Sequence, residues 1–302
     1  MNLIFKNLDQ RSTVVSATFI DLKKAFDTVD HQKLFVKLNN CGIRSVALEL
    51  LKSYLTNRSQ FVSFGKIKSS TRSVDCGVPQ GSVLGPLLFL IFLNDIQDNP
   101  LKGKLFLYAD DAVFFYSSNS DSSNCMNMNE DLCMLSRYFS KNSLTLNRSK
   151  TKIMHFHSYG KKLNNDVSVL VDGVQLETVD NFKYLGIILD THLTFKYHCT
   201  YLTNKLSRMN GIMYKLHSFL RKTCLRLLYF AFIYSQLNYM VNLYALAPKQ
   251  YLRPVQVLQN RAIKFTHSLN YFTRSVDLYT VHSRSILPIK GLQVFATLRY
   301  VK

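Results

Sequence analysis

The sequence predicts an α+β lobe followed by an all-helical, basic lobe. Three observations predict it. Over the first 190 residues, β-branched runs alternate with amphipathic ones. After Thr191 the character changes to basic, aromatic segments with few glycines, which read as helices. The charge changes with it: residues 191–302 hold sixteen Lys and Arg against one acidic residue, Asp277, whereas residues 1–190 hold 22 basic and 18 acidic. Domains are therefore placed at 1–190 and 191–302. With 302 residues and 47% hydrophobic content the chain has ample material for a core, which excludes disorder.

The elements follow in order. "STVVSATFIDL" (12–22) is a buried strand that delivers Asp21 at its end. "DHQKLFVKLNNCG" is a helix with Asp30 as N-cap and Gly42 past its end. Residues 44–58 form a second amphipathic helix. "QFVSFGKIKSSTRSVDCG" alternates around Gly65 as a hairpin. "PQGSVLGPLLFLIFLNDI" (79–96) is a Pro/Gly turn opening into an apolar helix, and residues 104–117 are two apolar strands around Asp110 and Asp111. Residues 125–141 are helical, "TKIMHFH" is a strand, and "VSVLVDGVQL" turns at Asp172-Gly173. "NFKYLGIILD" (181–190) is a short strand or hairpin. The predicted architecture is an antiparallel sheet with helices on one face, then helices alone.

The net charge is +19. A basic lobe joined to a near-neutral, carboxylate-bearing lobe suits a polyanion held by one part and worked on by the other, with an anionic membrane surface as the competing partner. The six cysteines form no CxxC pair and no Cys/His cluster, so they read as reduced thiols. "MNLIFKNLDQ" lacks the apolar core of a signal peptide. The apolar stretch Cys224–Ala247 contains Arg226, Gln236, Asn238 and Asn242, and is expected as a buried helix rather than a membrane span. A nuclear or cytoplasmic location is expected.

Two adjacent carboxylates between apolar strands have two readings. Asp tolerates turn geometry, so the pair is a hairpin tip. Carboxylate oxygens are also what a hard divalent cation takes, and a cation removes the cost of placing like charges together. If Asp21 ends a strand beside that hairpin, the three carboxylates meet at one sheet edge. Such an edge suits two ions roughly 4 Å apart.

"FIDLKKAFDTVDH", "CGVPQGSVLGPLLFLIFLNDI" and "YADDAVFF", in this order, resemble motifs A, B and C of a reverse transcriptase palm. "NSLTLNRSKTKIMHF" resembles motif D and "FKYLGIILD" the primer-grip motif E, while "LRPVQVLQNRAIKF" resembles the thumb region. The wording is most similar to polymerases of non-LTR retrotransposons, the LINE and jockey-like group. The resemblance implies a right-hand polymerase palm followed by a helical basic thumb. It implies RNA-directed DNA polymerisation by two-metal nucleotidyl transfer, with Mg²⁺ or Mn²⁺, an RNA template, a DNA primer and dNTP. Asp21, Asp110 and Asp111 become metal ligands and catalytic residues, and Lys150 the group that protonates or neutralises the leaving pyrophosphate. Phe26 lies beneath the incoming sugar, where its bland alternative is a core aromatic. Gln80 and Gly81 meet the nucleotide, their alternative being a simple loop before a helix. Tyr184, Leu185 and Gly186 form the primer grip. Arg208, Arg221, Arg253 and Arg261 grip the nucleic-acid backbone without reading sequence.

The chain starts some twenty residues before Asp21, so the upstream fingers motifs of the family are expected to be missing, as are an endonuclease and a Cys/His knuckle. A fragment of a longer polyprotein is the expectation. Its alternatives are a catalytically inactive nucleic-acid-binding remnant and, on charge and the apolar 224–247 stretch alone, a membrane-surface or scaffold protein.

Overall fold

The computed structural model describes residues 2–8, 13–164, 167–282 and 285–300. Ser12, the first residue of the expected first strand, lies outside them. The chain divides into two units, Met1–Val179 and Asp180–Lys302. The division falls before the hairpin of residues 181–190, because that hairpin packs on the helix that follows it.

In the first unit a helix α1 (Asn2–Leu8), which the sequence did not announce, precedes strand β1 (Val14–Ile20). Then come α2 (His31–Asn40) and α3 (Ser45–Leu55). A nested pair of short ribbons follows, β2 (Arg58–Gln60) with β5 (Arg72–Val74) outside and β3 (Ser63–Phe64) with β4 (Ile67–Lys68) inside. Helix α4 (Leu84–Leu93) leads to the hairpin β6 (Lys104–Tyr108) and β7 (Asp111–Ser118). Helix α5 (Asp121–Lys141) begins four residues before the expected 125. Strand β8 (Lys152–Phe156), the ribbon β9 (Leu170–Val171) and β10 (Val174–Gln175), and β11 (Glu177–Thr178) complete it.

β1 lies at the centre of a five-stranded sheet of order β11-β8-β1-β7-β6. It pairs antiparallel with β7 and with β8, and only β11 runs parallel to its neighbour. All seven residues of β1 are buried, as a β-branched run without charge permits. One face of the sheet joins Ile20, Phe114, Tyr116 and Ile153 to a core with Leu34, Leu38, Phe89, Phe92, Met128 and Leu135 from α2, α4 and α5. On the opposite face Val15, Ala17, Val113, Met154 and Phe156 are buried too, and α1 packs against β1.

Two polar devices sit inside this core. Ser16 Oγ lies 2.7 Å from His155 Nδ1 and accepts from Asn124 Nδ2 at 2.9 Å, which ties β1 to β8 and α5. The buried carboxylate of Asp131 accepts from Lys102 N (3.1 Å), Gly103 N (2.8 Å) and Tyr116 Oη (2.9 Å). It thereby fixes the entry into β6. Gly103 is obligatory there, since a Cβ would stand 2.6 Å from the Tyr116 ring.

The second unit opens with the hairpin β12 (Asn181–Tyr184) and β13 (Ile187–Asp190), then α6 (Lys196–Leu216). Asp190 braces the turn into α6 by accepting from Thr194 N at 2.9 Å and Phe195 N at 2.7 Å. Helix α7 (Lys222–Leu228) runs through π-type turns (Tyr229–Tyr234) into α8 (Ser235–Asn238). Next are α9 (Val241–Tyr244), α10 (Lys249–His267), α11 (Ser275–Asp277) and α12 (Ile289–Tyr300). The single buried helix expected over 224–247 is therefore broken. Tyr239 is extended and Met240 left-handed (φ 50°), which ends α8 and reorients α9. Among the described residues no helix is long and apolar enough to cross a membrane.

Two predictions follow from these buried polar groups. Asp131→Ala strips three donors of their acceptor and should cost about 3 kcal/mol in denaturant unfolding. His198 on α6 is 2% exposed and accepts from Ile188 N at 3.3 Å. Burial, aided by the nearby Lys183 charge, pushes its pKa down to about 4. The unfolded state takes up a proton near 6.5 that the folded state refuses, so stability is present above that pH and is lost as pH falls from about 6.5 toward 4. Unfolding midpoints of the parent should drop over this window, and His198→Leu should lose less over it.

Candidate active site

The three carboxylates are set by strand register. β1 opposes β7 with Phe19 across from Val113 and Ile20 across from Ala112. One more step places Asp21 opposite Asp111, and opposite residues of an antiparallel pair share a face. Asp110 belongs to the two-residue turn that joins Tyr108 to Asp111. That turn needs a positive φ at its first position, and Ala109 adopts one (φ 54°) against its own preference.

Asp21 is held by the loop after α5. Its N–H donates to Thr151 Oγ1 (3.3 Å), its carbonyl accepts from Asn147 N (2.8 Å) and its Oδ2 accepts from Asn147 Nδ2 (2.8 Å). A bridge between Leu22 and Leu146 and a bond from Lys23 N to Thr145 O (2.8 Å) extend the seam. One carboxylate oxygen is thus fixed by an amide, which orients the other.

The carboxyl of Asp111 is raised above the ordinary carboxylate value, first by burial, then by the negative charges of Asp110 and Asp21. Asp111 therefore feels both neighbouring carboxylates. The three are not drawn into a closed cluster: among the described residues no three His, Cys, Asp or Glu side chains are grouped so as to hold a metal ion.

A second seam joins the turn after β1 to the turn before α4. Gly77 N donates to Val29 O and Val78 N to Phe26 O, both at 2.8 Å, and His31 Nε2 lies 2.8 Å from Gly77 O. Gln80 Nε2 donates to Asp27 Oδ1 at 2.8 Å, so the expected nucleotide-facing Gln80 is tethered to motif A. Phe26 stacks on Phe89 with centroids 4.5 Å apart and stays half-buried, so one face belongs to the core and the rest meets solvent. Gly81 has φ +78° with nothing within 4 Å of a would-be Cβ, which leaves its backbone open to approach. Ser82 Oγ accepts from Gly85 N at 2.9 Å and starts α4.

Lys150 is exposed at the end of the Asn147 turn, and among the described residues its ammonium makes no ion pair. Tyr184, Leu185 and Gly186 lie in the second unit, at the tip of the β12–β13 hairpin, where Leu185 (φ 45°) and Gly186 (φ 81°) make a tight turn. Tyr239 Oη donates to Leu185 O at 2.6 Å and holds that tip. Arg208 and Arg253 are exposed on α6 and α10, Arg221 precedes α7, and Arg261 is exposed on α10.

The sequence reading missed Asn147, Gly77 and Tyr239. Asn147 stands inside the quoted "NSLTLNRSK", but nothing local reveals that its amide reaches a residue 126 positions away. Nothing in the sequence around Gly77 marks it either. A Cβ on it would stand 2.7 Å from Asp27 O.

Residues 3–189 match the reverse transcriptase (RNA-dependent DNA polymerase) family. The probable RNA-directed DNA polymerase from transposon BS of Drosophila melanogaster is 32% identical over 275 residues, 87% of this chain and 30% of that protein. The RNA-directed DNA polymerase from mobile element jockey of Drosophila funebris is 25% identical over 280 residues, 89% of this chain and 30% of that protein. The chain thus spans about 30% of the length of the curated relatives it matches. A solved telomerase from Candida albicans overlays with a TM-score of 0.47 at 12% identity, covering 93% of this chain and 53% of that one.

Gly77 and Gly81 of motif B should separate in denaturant unfolding. Gly77→Ala is predicted to cost about 3 kcal/mol through clash plus left-handed strain, and Gly81→Ala about 1 kcal/mol through strain alone.

Proposed function

Because the chain belongs to the reverse transcriptase (RNA-dependent DNA polymerase) family, we propose that it extends a DNA primer along an RNA template with dNTP. The observation that carries this reading is the β1–β7 register, which ends with Ile20 opposite Ala112, so that Asp21 and Asp111 are the next residues along and Asp110 is on the adjoining turn. The family's chemistry is divalent-metal chemistry. The donors at this edge are all carboxylate oxygens, the set that Mg²⁺ takes, with Mn²⁺ as substitute. The carboxyl of Asp111 is raised first by burial and then by the other two charges, and cations would relieve that repulsion. Asp21, Asp110 and Asp111 would hold two such ions, which when bound supply charge neutralisation and activate the primer hydroxyl.

The chain's own groups do the rest. The Asn147 amide fixes the rotamer of Asp21. The primer 3′-oxygen bonds to the α-phosphorus of the dNTP as its proton is lost to solvent, and the bond to the bridging oxygen of the pyrophosphate breaks. Lys150 Nζ gives a proton to that leaving group or neutralises it. The open backbone at Gly81 and the exposed part of Phe26 line the approach of the nucleotide. In the second unit Tyr184, Leu185 and Gly186 serve as primer grip. Arg208, Arg221, Arg253 and Arg261 neutralise phosphates, so hybrid binding weakens as salt rises.

Primer extension tests the reading. With RNA template, DNA primer, dNTP and Mg²⁺, the parent should extend. The Asp110→Ala, Asp111→Ala pair should lose about a thousandfold or more, as the loss of several kcal/mol of metal-assisted stabilisation requires. Mn²⁺ should raise the melting temperature of the parent and not of that variant. Asn147→Ala should fall about tenfold in rate while still melting higher with Mn²⁺, because it loosens Asp21 without removing it. An inert parent that still binds the hybrid in a salt-sensitive way would identify a binding remnant instead.

A further inference from the structure

The second unit holds a cavity of about 670 Å³ between the C-terminal halves of α6 and α10, lined by Asn210, Tyr214, His217, Arg261, Lys264 and Phe265 among others. Three of these are rings in mutual contact: Tyr214 to His217 at 5.4 Å, Tyr214 to Phe265 at 5.7 Å and His217 to Phe265 at 5.6 Å. Tyr214 is nevertheless 62% exposed, an aromatic surface turned to solvent. Arg261 is exposed beside it, and among the described residues it makes no ion pair.

Asn210 fixes the spacing of the cavity's two walls. Its side chain is 3% exposed, and its Nδ2 donates to Leu206 O (2.9 Å) and Leu258 O (3.2 Å), bridging α6 to α10. Its Oδ1 is buried with no donor among the described residues. That oxygen is sealed from what enters the cavity, so Asn210 acts by holding the two walls together.

An exposed aromatic platform and a guanidinium without an ion pair, lining one cavity, together describe one ligand chemistry: a flat ring joined to a phosphate. The geometry points to a binding site for an unpaired nucleotide of single-stranded nucleic acid, its base stacked on Tyr214 and its phosphate against Arg261. The site is built wholly from the second unit and does not depend on the polymerase reading. It differs from backbone gripping because it requires the base.

Fluorescence anisotropy without dNTP tests it, using full-length protein and a single strand of about ten nucleotides, as RNA and as DNA of the same sequence. Tyr214→Ala should weaken binding about tenfold, within the usual cost of losing one base–aromatic stack. The same substitution should leave a strand made abasic at its centre, and a duplex, within about twofold. Arg261→Gln should weaken base-bearing and abasic strands alike. A 2-aminopurine placed in the strand should be quenched by the parent and not by Tyr214→Ala, which a merely structural role for Tyr214 does not predict. A preference of the parent for RNA or for DNA would name the source of the nucleotide. Equal weakening of base-bearing and abasic strands by Tyr214→Ala, or no weakening of either, would overturn the proposal.

Discussion

Everything at the carboxylate edge depends on the burial of β1 between β7 and β8. The strand carries no charge from Val14 to Ile20, so both its faces can be covered, and its first charge, Asp21, appears one step after the last buried residue. Burial on both faces also makes register unforgiving. A slip of one residue would move Ser16 away from His155 and Asn124 and present it to an apolar face. The hydrogen bonds of one buried serine therefore help to decide which residue of β7 faces Asp21.

Much of this was legible because local pattern and tertiary role coincide. The β-branched run of β1, the Asp30 cap that accepts from Lys33 N at 3.1 Å, and the Asp172-Gly173 turn with both φ positive follow from short-range chemistry. The apolar flanks of Asp110 and Asp111 gave the hairpin for the same reason. What stayed hidden is what sequence order does not encode. Asn147 acts through a partner across the sheet, and Gly77 through a backbone it presses against. The break at Tyr239 and Met240 was hidden differently: the residues from 224 to 247 are uniformly helix-compatible, and neither Pro nor Gly marks the interruption. Helix α1 was too short to show a period.

The two units solve opposite electrostatic problems. In the first, like charges are concentrated, and Asp111 responds with a raised carboxyl. In the second, cations are scattered over helices almost without acids, and several turn to neutral partners, as Lys205 does to Gln236 Oε1 at 2.7 Å. Its few acids have local duties, as Asp190 shows by bracing the turn into α6. A surface of this kind attracts polyanions over a distance, whereas the carboxylate edge acts only at contact.

The pairing of Val15 with Phe156 has a consequence in time. The partners lie 141 residues apart, the difference between 156 and 15. At ribosomal speeds of about 5–20 residues per second, β1 waits roughly 7–30 s after its own synthesis before β8 exists to cover its second edge. During that interval the most apolar strand of the sheet is an open template for strand addition, and Asp21 has no Asn147 to orient it. The order of synthesis thus makes the seat of Asp21 one of the last features of the first unit to form, and makes chaperone holding of the nascent chain a matter of this strand above all others.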